Sequence, residues 1–127
     1  MDDDDVIRTL FATFGTRDID TALSLVDERI EFWPKIIMAL AGREEPYRGH
    51  EGIRQYFADL AVIFDEVVIE VQRVRTVSGG AAVFGTTRGR PAGQGPIEVP
   101  LMVFARLEAG RVVHARSIAS MDEIAGS

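Results

Sequence analysis

The chain has 127 residues, no cysteine and a net charge of −6 at neutral pH, with 46% hydrophobic and 27% charged residues. This length suits one domain with its own core, and this composition is that of a globular protein rather than a disordered one. The lack of cysteine excludes disulfides and thiolate metal sites, and the acidic charge disfavours nucleic acid and anionic membranes as partners. No apolar run reaches the ~20 residues of a membrane span, and the acidic start M-D-D-D-D is unlike a signal peptide, so we expect a cytoplasmic protein.

Two amphipathic helices are predicted at the start of the chain. Apolar residues recur at helical spacing from Val6 to Phe14, directly after the aspartates at 2–5. Aspartates suit a helix start because their carboxylates accept hydrogen bonds from the unpaired N–H groups there, so we interpret them as caps and not as a metal site. Gly15 is expected to end this helix, and Asp18 to cap a second one.

The middle of the chain changes from helical to strand-like spacing. R-I-E-F-W (29–33) alternates and is rich in β-forming residues, which predicts a first strand that ends at Pro34. The apolar segment 36–41 allows a helical turn or a lid, and 42–46 is predicted to be a charged loop. The motif Y-R-G-H-E-G-I-R-Q-Y-F (47–57) then begins a third helix, whose apolar residues follow at every third or fourth position.

After Phe64 the apolar residues alternate at every second position, which predicts strands. Four are expected, at 67–77, 82–90, 97–107 and 111–119, with glycine-containing connections between them. Helices that precede a largely antiparallel sheet indicate an α+β fold, here a single domain over residues 1–127. A helical cap over a curved sheet normally encloses one small-molecule cavity.

Four motifs, in this order of elements, resemble the SnoaL-like group of the nuclear transport factor 2-like superfamily. They are D-I-D-T-A-L-S-L-V (18–26), I-E-F-W-P (30–34), the 47–57 motif and G-R-V-V-H-A-R (110–116). The resemblance implies a cone-shaped α+β fold with three N-terminal helices capping a strongly curved, mainly antiparallel sheet. It also implies a pocket between the concave sheet face and the helices, and a homodimer formed through the outer sheet face. The activity stays open, because the superfamily mixes isomerases, cyclases, dehydratases and epoxide hydrolases with binding modules.

The chain departs from two catalytic patterns known in this superfamily. Similarity to ketosteroid isomerase puts that family's aspartate base at Trp33 and its carboxylic-acid oxyanion donor near Val103. Its helix-1 tyrosine falls near Thr9 or Leu10, and none of these positions can do the corresponding proton chemistry. The cavity aspartate of polyketide cyclase relatives falls at Ser120. Neither activity is therefore transferred by name.

Glu31 and Arg88 are the predicted catalytic residues. Alternation puts Glu31 on one strand face with Trp33, and the family register turns that face inward, where an apolar cavity would raise the pKa of the carboxyl. Arg88 shares a face with Phe84 that the same register turns inward, so it would neutralise Glu31 or hold an anionic group. The alternatives are an arginine-paired glutamate at the sheet rim and, with the register shifted by one residue, a solvated Arg88.

Seven residues are predicted to contact a ligand. They are Trp33, Tyr47, Phe57, Phe84, Leu101, Val103 and His114. Together they would form a mainly aliphatic and aromatic cavity, which selects a small, hydrophobic, oxygenated molecule. Tyr47 could donate a hydrogen bond to a substrate oxygen. For Tyr56 and Phe57 the helical spacing favours packing in the core.

The last strand allows two orientations. It can turn His114 and Arg116 toward the cavity, where His114 could act as a general base. It can instead turn the small residues Ala115 and Ser117 inward, which leaves room for a ligand and places His114 at a dimer interface. The isomerase register favours the second orientation.

No metal or cofactor is expected. The chain has two histidines, and His50 is predicted to lie at a helix start on the surface, whereas zinc and iron centres need three or more protein ligands. Gly89, Gly93 and Gly95 follow a strand but do not open a helix, so they do not form a dinucleotide motif.

Two functions follow as hypotheses. The first is a cofactor-independent cyclase, isomerase, dehydratase or hydrolase acting on a hydrophobic carbonyl or epoxide compound, in which Glu31 moves a proton and Arg88 stabilises negative charge on oxygen. It requires both residues to face an open cavity. The second is a non-catalytic small-ligand-binding or dimerisation module, which the loss of the family's catalytic positions favours. A tightly filled core would support the second hypothesis, and a large open cavity would count against it.

Overall fold

The computed structural model describes residues 1–118, in which four helices accompany a six-stranded sheet. The helices are α1 (Asp3–Thr16), α2 (Ile19–Leu25), α3 (Lys35–Leu40) and α4 (Gly49–Ile63). The strands are β1 (Val26–Trp33), β2 (Tyr47–Arg48), β3 (Phe64–Val77), β4 (Gly80–Pro91), β5 (Ile97–Glu108) and β6 (Arg111–Ser117). The predicted α+β class with a helical cap is confirmed, and the uncertain segment after Pro34 is the short helix α3. Within this part of the chain no helix is long and apolar enough to cross a membrane.

The strands form one curved, open sheet in the order β2-β1-β6-β5-β4-β3. β1 and β6 are parallel neighbours, and the other four pairs are antiparallel. The register shifts at Gln72 of β3, which lies between the paired residues Val71 and Arg73, and at Val113 of β6, opposite Arg106 and Leu107 of β5. Such bulges increase the local twist, so they help the sheet to curve around the helices.

The aspartates near the N-terminus cap helices, as predicted. The Asp2 carboxylate accepts a hydrogen bond from the Asp5 N–H at 2.8 Å and begins α1. The Asp18 carboxylate accepts one from the Thr21 N–H at 3.2 Å and begins α2. Each cap satisfies an N–H group that has no partner inside its own helix.

Gly15 does not end α1, contrary to the prediction. The helix continues through it to Thr16, and the next residue, Arg17, adopts a left-handed conformation with φ 61°. Gly15 instead allows close packing on the sheet, because a Cβ at this position would lie 3.0 Å from the Val67 carbonyl oxygen.

An aromatic cluster fills the space between α1, β1 and α4. Its members are Phe11, Phe14, Phe32, Tyr47, Tyr56 and Phe57, all of them buried. Phe32 lies at the centre, with its ring centroid 4.8 Å from that of Tyr56 and 5.9 Å from that of Phe14. Most pairs meet edge to face, a geometry that adds about 0.5–1.5 kcal/mol per pair beyond the area buried. The cluster therefore holds the helical cap on one end of the sheet.

The two tyrosines of this cluster differ in how their hydroxyl groups are satisfied. The Tyr47 hydroxyl donates to the Asp59 carboxylate, with 2.6 Å between the oxygens. The Tyr56 hydroxyl has no hydrogen-bond partner within residues 1–118, although the residue is only 2% exposed. Burial raises the pKa of both phenols, so both are protonated donors at neutral pH. Among the described residues the only fully buried side-chain donor without a partner is Arg43 Nε, so the Tyr56 hydroxyl can be reached by water or a ligand from the cavity that Tyr56 lines.

Removing the two hydroxyls should have different effects on stability. Tyr47→Phe should lower the free energy of unfolding by about 2 kcal/mol, because it removes a hydrogen bond to a charged group. Tyr56→Phe should leave it unchanged or raise it slightly, because no bond within the protein is lost. Urea denaturation of both variants measures the two values. Equal losses would show that the Tyr56 hydroxyl has a partner in the folded chain.

Candidate functional site

A cavity of about 460 Å³ lies between the concave sheet face and the helices α3 and α4. Its walls are mostly aliphatic and aromatic, and they include Phe32, Leu60 and Val99. The cavity reaches the protein surface where the exposed side chains of Ile36 and Ile97 line it. This volume is within the range of small-molecule binding sites. It counts against the hypothesis of a tightly filled core.

Four residues with polar side chains line this cavity: Lys35, Tyr56, Thr87 and Ser117. Tyr56 is buried, whereas Lys35 is exposed at the first position of α3. The backbone N–H of Lys35 donates to the Ser117 hydroxyl oxygen at 3.1 Å, which joins α3 to the end of β6. Among the described residues, no aspartate, glutamate, histidine or arginine side chain lines the cavity.

The helix α3 covers one side of the cavity. Pro34 ends β1, and the helix that follows buries Ile37 and Met38 while Ile36 remains 54% exposed at the rim. The apolar segment after the first strand is therefore a short lid whose inner residues anchor it and whose outer residues border the entrance.

Glu31 lies on the outer face of the sheet, so its predicted inward placement is wrong. β1 turns Ile30 and Phe32 inward, because Phe32 packs in the aromatic cluster, and alternation then turns Glu31 outward. The Trp33 indole N–H donates to Glu31 Oε1 at 2.7 Å, and the Arg48 guanidinium donates to Oε2 at 2.7 Å. The hydrogen bond from Trp33, followed by the charge of Arg48, holds the pKa of Glu31 below its ordinary value. The alternative of an arginine-paired carboxylate is the correct one.

Arg88 also lies on the outer face, contrary to the prediction. Its Nη1 donates to Glu70 Oε2 at 2.9 Å, and its Nε donates to Glu98 Oε2 at 3.2 Å. These partners come from β3 and β5, the two neighbours of β4, so Arg88 connects three strands on the solvent side. Phe84 shares this outer face and does not line the cavity.

Close packing explains which residues of β4 face inward. Its inward residues are Val83, which is fully buried, the cavity-lining Thr87, and the glycines 85 and 89 between and beyond them. A Cβ at Gly89 would lie 2.9 Å from the Phe64 ring, and one at Gly85 would overlap the Glu70 carbonyl. Glycine is required at positions 85 and 89 because the β3 backbone and the Phe64 ring leave no room for a Cβ.

The last strand turns Ala115 and Ser117 inward. Ala115 is 3% exposed, and Ser117 lines the cavity. His114 points to the outer face, where its ring centroid lies 6.3 Å from that of Phe104 and its Nδ1 lies 3.8 Å from Glu31 Oε1. Burial lowers the pKa of His114. Its predicted place in a ligand site is wrong, whereas the alternative orientation of the strand is correct.

The remaining predicted ligand contacts divide into two groups. Leu101 and Val103 line the cavity. Tyr47 and Phe57 are buried in the aromatic cluster and do not line it, and Trp33 bonds to Glu31 outside, so these three placements are wrong.

Lys35, Tyr56 and Thr87 line the cavity although the sequence pattern did not predict them as ligand contacts. Tyr56 packs in the core as expected, but it also lines the cavity. The sequence did contain an indication for Tyr56. A tyrosine on an otherwise apolar helix face has a hydroxyl group that must find a hydrogen-bond partner. For Lys35 and Thr87 no local pattern indicated the cavity.

No group of three or more histidine, aspartate or glutamate side chains within residues 1–118 is placed to hold a metal ion. The Nε2 of His50 lies 3.1 Å from the Val26 carbonyl oxygen, so this half-buried ring joins the start of α4 to β1. Ser120, the position of the polyketide cyclase aspartate, lies outside the described residues.

Solved structures share this fold over nearly the whole chain. An NTF2-like protein of unknown function from Burkholderia pseudomallei is 17% identical, with 98% of this chain and 95% of that one covered and a TM-score of 0.81. TerC, co-crystallized with polyporic acid, is 18% identical with the same coverages and TM-score. IdmH from Streptomyces antibioticus, described as a candidate polyketide cyclase, is 19% identical, with 98% and 99% covered and a TM-score of 0.76. At such identities the likeness shows the fold alone.

Comparison with curated proteins finds no match. A family model described as a SnoaL-like domain matches residues 7–115, which span α1 to β6 and therefore both the helical cap and the sheet. The chain belongs to the SnoaL-like domain family and has the α+β cone fold of the nuclear transport factor 2-like superfamily.

Proposed function

We propose that the protein binds a small hydrophobic molecule with carbonyl or hydroxyl oxygens in the cavity of the cone. The observation that carries this proposal is the cavity itself, about 460 Å³ of space with apolar walls and a few polar groups. Protein interiors are otherwise close-packed, and an unfilled apolar space of this size costs stability, so a ligand is its simplest explanation. The apolar walls would hold the body of the ligand and the polar groups would orient its oxygens.

Filling the cavity should prevent this binding. Val99→Phe places a larger side chain on the cavity wall, whereas Val62→Phe makes the same change at a residue on α4 that is 78% exposed and does not line the cavity. Small aromatic ketones and acids should raise the melting temperature of the wild type and of Val62→Phe, but not of Val99→Phe. A ligand at 100 times its Kd adds about 2.7 kcal/mol to stability, which a thermal-shift screen resolves.

Two results would contradict the binding site. One is a wild type that none of the compounds stabilises. The other is a Val99→Phe variant that folds and responds to ligands as the wild type does.

A second function, cofactor-independent isomerisation or cyclisation, is favoured by the Tyr56 hydroxyl. A carbonyl oxygen of the bound molecule would accept a hydrogen bond from this group. When a proton leaves the neighbouring carbon for a water molecule, negative charge develops on the oxygen and the bond strengthens. Burial raises the pKa of Tyr56, so the phenol remains a donor throughout. The resulting enolate is an intermediate that isomerisation and aldol-type cyclisation share.

This chemistry can be tested without knowing the substrate. In D₂O the wild type should accelerate exchange of the α-protons of 2-tetralone above the rate in buffer, as followed by NMR. Tyr56→Phe should reduce the acceleration by roughly 100-fold, the usual effect of removing one oxyanion donor. Tyr47→Phe is the matched control, since it removes a hydroxyl that does not line the cavity, and it should retain the acceleration. Equal exchange in wild type and Tyr56→Phe would refute the role of Tyr56.

The outer face of the sheet supports the further proposal of a homodimer. The solvent side of an antiparallel sheet is usually polar. Here Phe84, Met102 and Phe104 form an apolar band on neighbouring strands, and the Arg116 guanidinium lies 5.1 Å from the Phe104 ring centroid. Apolar bands bordered by polar residues are typical of interfaces. A second copy of the chain would cover this band with its own.

Dimer formation should depend on the centre of the apolar band. Light scattering after size-exclusion chromatography should give twice the mass of one chain for the wild type. Phe104→Arg should give a monomer, because two buried guanidinium groups would face each other across the symmetric interface. Val62→Arg, the control on α4, should remain a dimer. A monomeric wild type at high micromolar concentration would exclude this interface.

A further inference from the structure

We infer that Arg43 is a positioning residue that holds the α3 lid over the cavity and sets how fast a ligand enters and leaves. This inference rests on the proposed function, since it concerns access to the same cavity. It adds the element that moves, the residue that restrains it and the consequence for binding kinetics. Arg43 does not line the cavity, so it acts through α3 and not on the ligand itself.

The entrance of the cavity has one fixed side and one movable side. Ile97 belongs to β5, where it pairs with Gly89 of β4 inside the hydrogen-bonded sheet. Ile36, which also lines the entrance, belongs to α3, and this helix is not part of the sheet. A helix of six residues is not stable alone, so α3 keeps its position only through contacts with the rest of the protein. The entrance therefore widens by movement of α3.

The backbone joins Arg43 firmly to the end of α3. The Arg43 N–H donates to the Met38 carbonyl oxygen at 2.8 Å, and the Gly42 N–H donates to the Ala39 carbonyl oxygen at 3.2 Å. Gly42 has the left-handed conformation, with φ 70°, that this type of helix end requires. The two bonds form a Schellman motif, so α3 and the backbone of Arg43 move as one unit.

The side chain of Arg43 attaches this unit to a fixed part of the protein. Its guanidinium carbon lies 4.1 Å from the centroid of the Tyr47 ring, and its Nη2 donates to the Pro46 carbonyl oxygen at 3.3 Å. The face of an aromatic ring attracts a cation at this distance. Tyr47 is buried in the aromatic cluster, and the bond from its hydroxyl to Asp59 fixes it to α4. A displacement of α3 that carries Arg43 with it breaks the stacking contact.

The closed position of Arg43 leaves one donor unsatisfied. Its Nε is buried and has no hydrogen-bond partner among the described residues. A buried donor without a partner costs free energy, and this cost disappears when the side chain moves into water. The attraction to the Tyr47 ring is therefore opposed by a desolvation cost, which keeps the lid releasable.

Met38 can report the opening of the lid without any ligand. This residue of α3 is buried in the core, whereas Met1 is 75% exposed. Hydrogen peroxide oxidises a methionine only as fast as its sulfur becomes accessible. Arg43→Leu should accelerate sulfoxide formation at Met38 about fivefold, while Met1 should react at the wild-type rate. Mass spectrometry of peptides separates the two sites.

Stopped-flow binding of Prodan, a fluorescent naphthyl ketone, tests the role of Arg43 in ligand exchange. Loss of the stacking contact should make opening of the lid more frequent both with and without ligand. Arg43→Leu should therefore raise the association and dissociation rate constants by the same factor, about fivefold, and leave Kd unchanged. A residue that shapes the binding site would instead change Kd.

Three control variants isolate the contribution of the stacking contact. Arg43→Lys keeps a cation over the Tyr47 ring, so its rates should stay within about twofold of the wild type. Arg54→Leu makes the same change as Arg43→Leu at an exposed position on α4 that pairs with Glu51 and does not line the cavity, and it should give wild-type rates. Asp18→Ala removes the cap of α2 and lowers stability away from the lid, so it should leave both the oxidation and the binding rates unchanged.

The outcomes separate this inference from the proposed function. Equal oxidation of Met38 in the wild type and in Arg43→Leu would overturn the inference, because Arg43 would then not hold the lid. Faster oxidation with unchanged Prodan kinetics would also overturn it, because ligands would then exchange by another route. If neither Prodan nor any compound of the thermal-shift screen binds, the proposed function fails and the kinetic role of Arg43 fails with it, while Met38 oxidation still decides whether Arg43 holds α3.

Discussion

The position of Phe32 in the aromatic cluster is the constraint on which the rest of the sheet depends. Its ring packs against Phe14 and Tyr56 in the closed end of the cone, so β1 has to turn this residue inward. Side chains alternate along a strand, and cross-strand partners face the same side. Glu31 therefore points outward, and its cross-strand partner His114 points outward with it. One packed ring thus determines which residues of the neighbouring strands reach solvent.

The inward position of Phe32 also keeps the ion pairs of the sheet on its outer face, away from the cavity. The row that begins at Trp33 continues through Arg116 and Phe104 to Ala82, and all of these residues lie on the outer face. The ion pairs of Glu31 and Arg88 therefore form on the outside, where exposed pairs stabilise a protein only modestly. The concave face keeps small and aliphatic residues. The aromatic cluster fills one end of the cone, and the other end remains open as the cavity under α3.

This arrangement explains why family resemblance did not lead to the site. The family resemblance puts the carboxylates of related enzymes at positions such as Trp33 and Val103, and the nearby Glu31 lies outside the cone with a lowered pKa. Any chemistry or selectivity in the cavity then depends on hydrogen-bond donors. Tyr56 has a protonated hydroxyl that the described protein leaves without a partner, and Lys35 and Ser117 border the entrance. A cavity whose polar groups are hydrogen-bond donors favours ligands that carry acceptor oxygens.

The sequence by itself determined the elements of this protein, because helical and strand spacing are local properties of the chain. It predicted the caps at Asp2 and Asp18, the helix after the Tyr47 motif and the long strands, and the resemblance added the cone. Only the tertiary structure decided which strand faces turn inward, since a shift of one residue exchanges the faces and no local pattern records it. This orientation of the strands places Glu31 and Arg88 on the outer face, outside the candidate site. It also brought Lys35, Tyr56 and Ser117, which are distant in sequence, to the wall of one cavity.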